Sequence, residues 1–216
     1  MTGLGIWLGA LVVYAGFIGW YYNWRRPLSP SEVDQALARL LTVDPDAGSR
    51  NDLETLRRFL AADDGRQFFM LNLVRLADEP VADPETGVLH SARALMQRYT
   101  KVFLPALLRR GGHPVLAARK VGGYVDAWGA PEDPGWTLIG YVRYRSRRDL
   151  VELVCDPRFP GAHAFKAAAM PNTFSFPTQP FLLTFASPGV VVGLLVVLIA
   201  AFVHLLQLLA NPALTA

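Results

Sequence analysis

The chain has 216 residues, of which 18% are charged and 52% hydrophobic, and its formal net charge is +3. Acidic and basic residues are interspersed, and no basic run or stripe of basic and aromatic residues indicates nucleic-acid binding. The positive excess suits the anionic inner leaflet of a membrane. The single cysteine, Cys155, excludes an internal disulfide and a cysteine-based metal cluster within one chain, and it fits a reducing compartment.

The first 24 residues contain no Asp, Glu, Lys or Arg. Residues 4–22 form an apolar run about as long as the ~20 residues that a helix needs to span a bilayer. Aromatic residues close this run, and Arg25 and Arg26 follow, as is typical of the cytoplasmic end of a span. A basic start and a small-residue cleavage site are both missing, which favours a permanent anchor over a signal peptide. We predict a transmembrane anchor over residues 1–26.

Residues 167–216 also carry no formal charge, and residues 189–209 within them are dominated by Val, Ile and Leu. This pattern predicts a second transmembrane helix over residues 187–211, with Pro188 as a suitable helix start. Because the basic residues lie between the two spans, we expect an integral protein of the inner (plasma) membrane. Its central domain would be cytoplasmic and both termini outside. His204 is expected to bond to a neighbouring helix; haem ligation is the alternative.

Residues 27–65 are predicted to form a pair of linker helices. The first, over residues 31–42, has one apolar stripe and Ser31 as its predicted cap. The second covers residues 51–61, and turn-forming residues separate the two. Asp63, Asp64 and Gly65 end the pair.

Residues 66–185 are predicted to form the main domain, of α+β class. Strands are predicted over residues 67–75, 114–121, 136–144 and 173–184, and helices over residues 91–109, 146–155 and 161–169. This order, β-α-β-β-α-β, is the ferredoxin-like arrangement with a four-stranded antiparallel sheet. Strand one is apolar on both faces apart from Asn72. Helices would cover one face of the sheet, so we expect a second copy to cover the other in a homodimer.

Several strings within residues 66–177 resemble the dimeric α/β-barrel superfamily, closest to its branch of small domains of unknown function. They are MLNLVR in strand one, the following helix that ends LLRRGG, and VRYRSRRDLVELVCDPRF after strand two. The resemblance implies two sheets facing each other across a dimer and a pocket between each sheet and its helices. Members of the superfamily include monooxygenases that use no cofactor, isomerases and haem peroxidases.

Polar residues on otherwise apolar elements are the candidate site residues. Asn72 would point into the pocket or bond to neighbouring backbone. Tyr141 and Arg143 share one face of strand three, and Arg119 on strand two could face them; these arginines would hold an anion or form rim salt bridges. His163, near the cavity mouth if the resemblance holds, would act as a general base, although a structural role is the commoner one for a lone histidine. We predict that Asn72, Tyr141, Arg143 and His163 line one pocket for a small, partly apolar anion.

Other chemistries have no support in the sequence. No phosphate loop, nucleophile elbow or His-Glu-x-x-His motif is present, and the histidines lack the spacing of metal ligands, so we predict no metal and no cofactor. Two hypotheses are left. The chain is a membrane-anchored domain that binds or converts a small ligand at the cytoplasmic membrane surface, or it is a non-catalytic scaffold or accessory subunit of a membrane complex. Its expected partners are the lipid bilayer, a second copy and other membrane proteins, and no nucleic acid.

Overall fold

The computed structural model describes residues 3–45, 52–182 and 186–210. It divides into two compact units, one made of residues 1–24 and 181–216 and the other of residues 25–180. The predicted helix start at residue 51, the end of the predicted fourth strand at residues 183–184 and residue 211 of the predicted second span lie outside the described residues. In chain order, the elements are α1 (Gly3–Tyr21), α2 (Pro30–Val43), α3 (Leu53–Ala61), β1 (Phe68–Arg75), β2 (Val81–Ala82), β3 (Leu89–His90), α4 (Ala92–Arg109), β4 (His113–Arg119), β5 (Leu138–Tyr144), α5 (Arg147–Val154), α6 (Phe159–Ala169), β6 (Asn172–Thr178) and α7 (Pro188–Ala210).

The first unit contains α1 and α7, which are both long and apolar enough to cross a membrane. The two helices pack antiparallel, since the start of α1 contacts the end of α7. Trp7 Nε1 donates a hydrogen bond to His204 Nδ1 at 3.3 Å, and the Tyr14 hydroxyl donates to the Gly189 carbonyl at 3.3 Å. A Cβ atom on Gly193 would lie 3.2 Å from the Tyr14 ring, so the missing side chain allows this close approach.

The second unit is built on a four-stranded antiparallel sheet in the order β4-β5-β1-β6. The α+β class and the sheet are therefore confirmed. Both edge strands contain a proline, Pro114 on β4 and Pro177 on β6. A separate two-stranded hairpin, β2–β3, precedes α4.

The strand register decides which side chains share a face of the sheet. Asn72 lies opposite Gly140, and Leu71 lies opposite Tyr141 and Phe176. Because successive side chains alternate between faces, Asn72 is on the helix-covered face and Tyr141 on the other. The second face carries apolar side chains that stay exposed, namely Leu116 at 52%, Phe174 at 47% and Phe176 at 43%. We call it the open face.

The core lies between the covered face of the sheet and helices α4, α5 and α6. The Phe68 and Tyr144 rings stack with centroids 5.1 Å apart, and Phe59 meets Phe68 edge-on at 5.1 Å. Fully buried aliphatic residues, among them Leu95 and Leu153, complete this cluster. Burial of such side chains contributes roughly 1.5–3 kcal/mol each, so the cluster fixes the helices against the sheet.

The α2–α3 helix pair belongs to the same compact unit as the sheet. Ser29 caps α2 through a capping box with Glu32, so the prediction of Ser31 as the cap is wrong; Pro30 at the first helical position moves the start upstream. Side chains at the start of α5 hold the pair in place. Arg148 forms a 2.8 Å ion pair with Glu32, and the Arg147 guanidinium lies over the Phe59 ring, 4.5 Å from its centroid.

Candidate functional site

A cavity of about 250 Å³ lies between the covered face of the sheet and the surrounding helices. Five helices, α2 to α6, contribute to its wall, so the α2–α3 pair forms one side of it. Most lining side chains are apolar. The lining residues are Ala36, Leu37, Leu40, Asp44, Leu56, Leu60, Met70, Asn72, Tyr99, Phe103, Tyr144, Leu150, Val151, Leu153, Val154, Cys155, Phe159, His163, Lys166 and Ser175. We call it the inner cavity.

Lys166, on α6, brings a cation to the inner cavity. Within residues 3–45, 52–182 and 186–210 its ammonium has no ion-pair or hydrogen-bond partner, and it lies 5.7 Å from the centroid of the Tyr99 ring. Burial in apolar surroundings lowers the pKa of Lys166, because desolvation penalises the charged form. Lys166 is not among the site residues predicted from the sequence. The signal that could have found it is that Lys166 is the last formal charge of the chain and the sole one after Arg158.

Two tyrosines of the cavity wall present hydroxyl groups. Burial raises the pKa of Tyr99 well above its ordinary value, and the neighbouring Tyr144 raises it further. Burial likewise raises the pKa of Tyr144. Both phenols therefore keep their protons, and neither hydroxyl has a hydrogen-bond partner in the described part of the chain. Each hydroxyl is therefore a candidate donor to a molecule bound in the inner cavity.

Asn72 lines the inner cavity, but its polar atoms are occupied within the sheet. Its Nδ2 donates to the Met70 carbonyl at 3.1 Å and to the Gly140 carbonyl at 3.4 Å. Its Oδ1 accepts from the Ser175 hydroxyl at 2.7 Å. The amide thus bonds to neighbouring backbone and to one side chain, which leaves one oxygen lone pair for a ligand.

His163 lies one turn before Lys166 on α6, and both side chains line the inner cavity. The Phe159 and His163 rings have centroids 5.9 Å apart. The structure therefore brings together Asn72 and His163, as predicted from the sequence, and adds Lys166 to them. A role of His163 as general base stays a prediction.

Tyr141 and Arg143 do not join this group, so the prediction of one shared pocket is wrong. They lie on the other face of the sheet, because Asn72 pairs with Gly140 between them in register. The Tyr141 hydroxyl is 2.7 Å from Thr178 Oγ1, and the ring stacks on Phe69. Both contacts are within the sheet.

Arg143 is buried, with 1% of its surface exposed, where the α4–β4 turn covers the end of the open face. Its Nε donates to Gln67 Oε1 at 2.6 Å, and its Nη1 donates to the Gly111 carbonyl. Gly111 adopts a φ of 70°, and a Cβ atom on Gly112 would lie 2.8 Å from the Arg143 carbonyl oxygen. Through these hydrogen bonds, Arg143 stabilises the turn between α4 and β4. Arg119, the other predicted anion ligand, is exposed on β4 and does not line the inner cavity.

A second cavity, of about 680 Å³, adjoins the first at the edge strand β6. It is more open and is lined by α3, α6 and the segment 170–177. The two cavities share the residues Leu56, Met70, Leu150, His163, Lys166 and Ser175. We call this second space the outer cavity and the polar residues His163, Lys166 and Ser175 the neck. Among the described residues, no group of three His, Cys, Asp or Glu side chains could hold a metal ion.

Comparison with known proteins finds structures with a similar fold but indicates no activity. No protein-family model matches the chain, and no curated protein matches it. The crystal structure of RPA0582, a protein of unknown function from Rhodopseudomonas palustris, is similar at 25% identity with a TM-score of 0.51. The match covers 62% of this chain and 96% of that chain. The structure of methylated RPA0582 is similar at 24% identity and a TM-score of 0.52, with the same shares covered. The likeness therefore shows that the matched part of this chain shares its fold with RPA0582.

Proposed function

We propose that the chain is a membrane-anchored domain that binds a small, partly apolar anion in the inner cavity. The observation that carries this proposal is the Lys166 ammonium, which lines an apolar cavity without a carboxylate partner in the described part of the chain. Partial burial of an unpaired cation in apolar surroundings is unfavourable, and an anionic ligand would offset it with a charge-assisted hydrogen bond. The apolar wall would bind the rest of the ligand.

Native mass spectrometry of the full chain in a mild detergent tests this function. We expect the wild-type protein to retain a small anion and Lys166→Met to lose it. Arg119→Met is the matched control, because it removes an exposed cation that does not line the cavity. Equal retention by the Lys166→Met variant would show that the ammonium does not hold the ligand.

The fold proposed with this function is the ferredoxin-like arrangement of the dimeric α/β-barrel superfamily. The order of its elements and the antiparallel strand order β4-β5-β1-β6 support it. A second copy is the proposed cover of the open face, where Leu116, Phe174 and Phe176 are exposed. Exposed apolar surface of this kind is unfavourable in water, and an identical sheet is complementary in shape and polarity.

The proposed location is the inner membrane, with α1 and α7 as spans and the second unit in the cytoplasm. Arg25 and Arg26 directly follow the first span, and the last 50 residues carry no positive charge. Both termini would then be external. A reporter enzyme fused after Ala216 tests this topology: activity restricted to the external compartment is expected, and cytoplasmic activity would overturn it.

A second candidate function, a scaffold or accessory subunit of a membrane complex, rests on the loop between β4 and β5. Val121, Val125 and Trp128 in this loop are almost fully exposed. Large exposed apolar side chains in one loop favour contact with another protein. Affinity purification from cross-linked membranes would identify such a partner, and a loop variant with Trp128→Ser should lose it.

A further inference from the structure

We propose that the ligand is an amphiphile with one carboxylate head and a linear apolar tail, its head at the neck and its tail in the inner cavity. This inference rests on the proposed function and adds the orientation and class of the ligand. It comes from the position of the Lys166 ammonium where the two cavities meet and from the apolar lining beyond it.

The cation that could hold a carboxylate lies at the neck. Lys166 supplies the charge, and His163 and Ser175 lie on the same shared boundary between the two cavities. The Ser175 hydroxyl donates its hydrogen bond to Asn72 Oδ1, so the Lys166 ammonium is the principal donor to the head. A head bound there would remain next to the outer cavity, through which water and the ligand enter.

The inner cavity beyond the neck is lined by apolar side chains from α2 and α5. Ala36, Leu37, Leu40 and Leu153 are buried there. Cys155 is also buried, and desolvation raises the pKa of its thiol, so it stays neutral. This part of the cavity therefore suits methylene groups.

The two cavities differ in how open they are, and this difference fixes the direction of the ligand. The outer cavity is the more open of the two, and Asp52 and Thr55 are in its lining. An apolar tail loses more of its contact with water in the inner cavity, so the head lies beside Lys166 and the tail points inward. The reverse orientation would leave the tail in the outer cavity, where more of it stays in contact with water.

The test uses the full chain in lipid nanodiscs and isothermal titration with butanoate, hexanoate, octanoate and decanoate. We expect affinity to increase about fourfold with each added methylene, which corresponds to about 0.8 kcal/mol of buried CH₂, until the inner cavity is full. The wild type should bind octanoate more tightly than octanol. The Lys166→Met variant should bind octanoate and octanol with equal affinity.

Two variants of the inner cavity test the orientation. Ala36→Leu fills the cavity and should move the preferred chain length down, and Leu40→Ala enlarges it and should move the preferred length up. If Ala36→Leu does not fold, Leu40→Ala alone still gives the shift. Val88→Ala, at an exposed position away from the cavity, is the control and should leave the profile unchanged.

The results separate this inference from the function on which it rests. An unchanged length profile in both inner variants, combined with weaker octanoate binding by Lys166→Met, would overturn the orientation and leave the binding function standing. If no alkanoate binds but native mass spectrometry finds another retained anion, the carboxylate amphiphile is wrong. If no anion is retained at all, both proposals fail.

Discussion

Replacing Arg143 separates a framework role from the ligand-binding role that the sequence suggested. Arg143→Met keeps much of the volume of the side chain but removes its donors to Gln67 and to the Gly111 carbonyl. Each hydrogen bond from a charged donor contributes about 1.5–3 kcal/mol, and loss of the buried charge recovers part of the desolvation cost. The expected destabilisation is therefore about 3 kcal/mol, which is roughly a 10 °C fall in Tm for a domain of this size.

Thermal unfolding of the full chain in detergent micelles, followed by far-ultraviolet circular dichroism, measures this effect. Arg119→Met is the control, because Arg119 is exposed on β4 and should change Tm by little. Ligand retention at a temperature where the variant is folded should match that of the wild type. An unchanged Tm together with lost ligand binding would show that Arg143 binds the ligand and that its role in the turn has been overestimated.

Three further predictions follow from single contacts. The pKa of Lys166 is lowered in the folded state, so between that lowered pKa and the ordinary value of 10.5 the unfolded chain binds more protons than the folded chain. The stability of the wild type relative to Lys166→Met should therefore rise as the pH increases toward 10.5. Denaturant titrations that show no such rise would contradict the desolvation of the ammonium. Leu71→Glu on the open face should convert the proposed dimer to a monomer, as measured by light scattering, whereas the control Val88→Glu should leave the dimer intact. A monomeric wild type would refute the dimer. Ser29→Ala should lower the free energy of unfolding by about 1 kcal/mol, because the capping box is lost, and Ser31→Ala should lower it by much less. The opposite ranking in urea unfolding would show that Ser31 caps the helix.

Local patterns in the sequence predict most of the elements of this protein. Helices α4, α5 and α6 and strands β1, β4 and β5 lie within a few residues of their predicted bounds, because periodicity and turn residues act over short distances. Ser146 caps α5 as its position before an apolar helix suggests. The predicted strand over 173–184 was too long, since β6 ends at Thr178 before Pro180.

The grouping of side chains into a site could not be predicted in the same way. Tyr141 and Arg143 do share a face, as their spacing requires, but that face is opposite to Asn72 because of a register set between strands far apart in sequence. A shift by one residue would have reversed the result. Lys166 was missed because a lysine in an alanine-rich helix usually faces water, and its burial depends on how α6 packs on the sheet.

The two edge prolines determine how copies of this protein can associate. An edge strand normally offers a row of free N–H and C=O groups to which another strand can add. Pro114 removes one N–H donor at the β4 edge and Pro177 removes one at the β6 edge. The hydrogen-bond ladder to a strand added at either edge would therefore be interrupted. Growth into an open-ended chain of sheets is thereby disfavoured. The proposed association through the open face would close after two copies, so the prolines favour a finite assembly over a fibre.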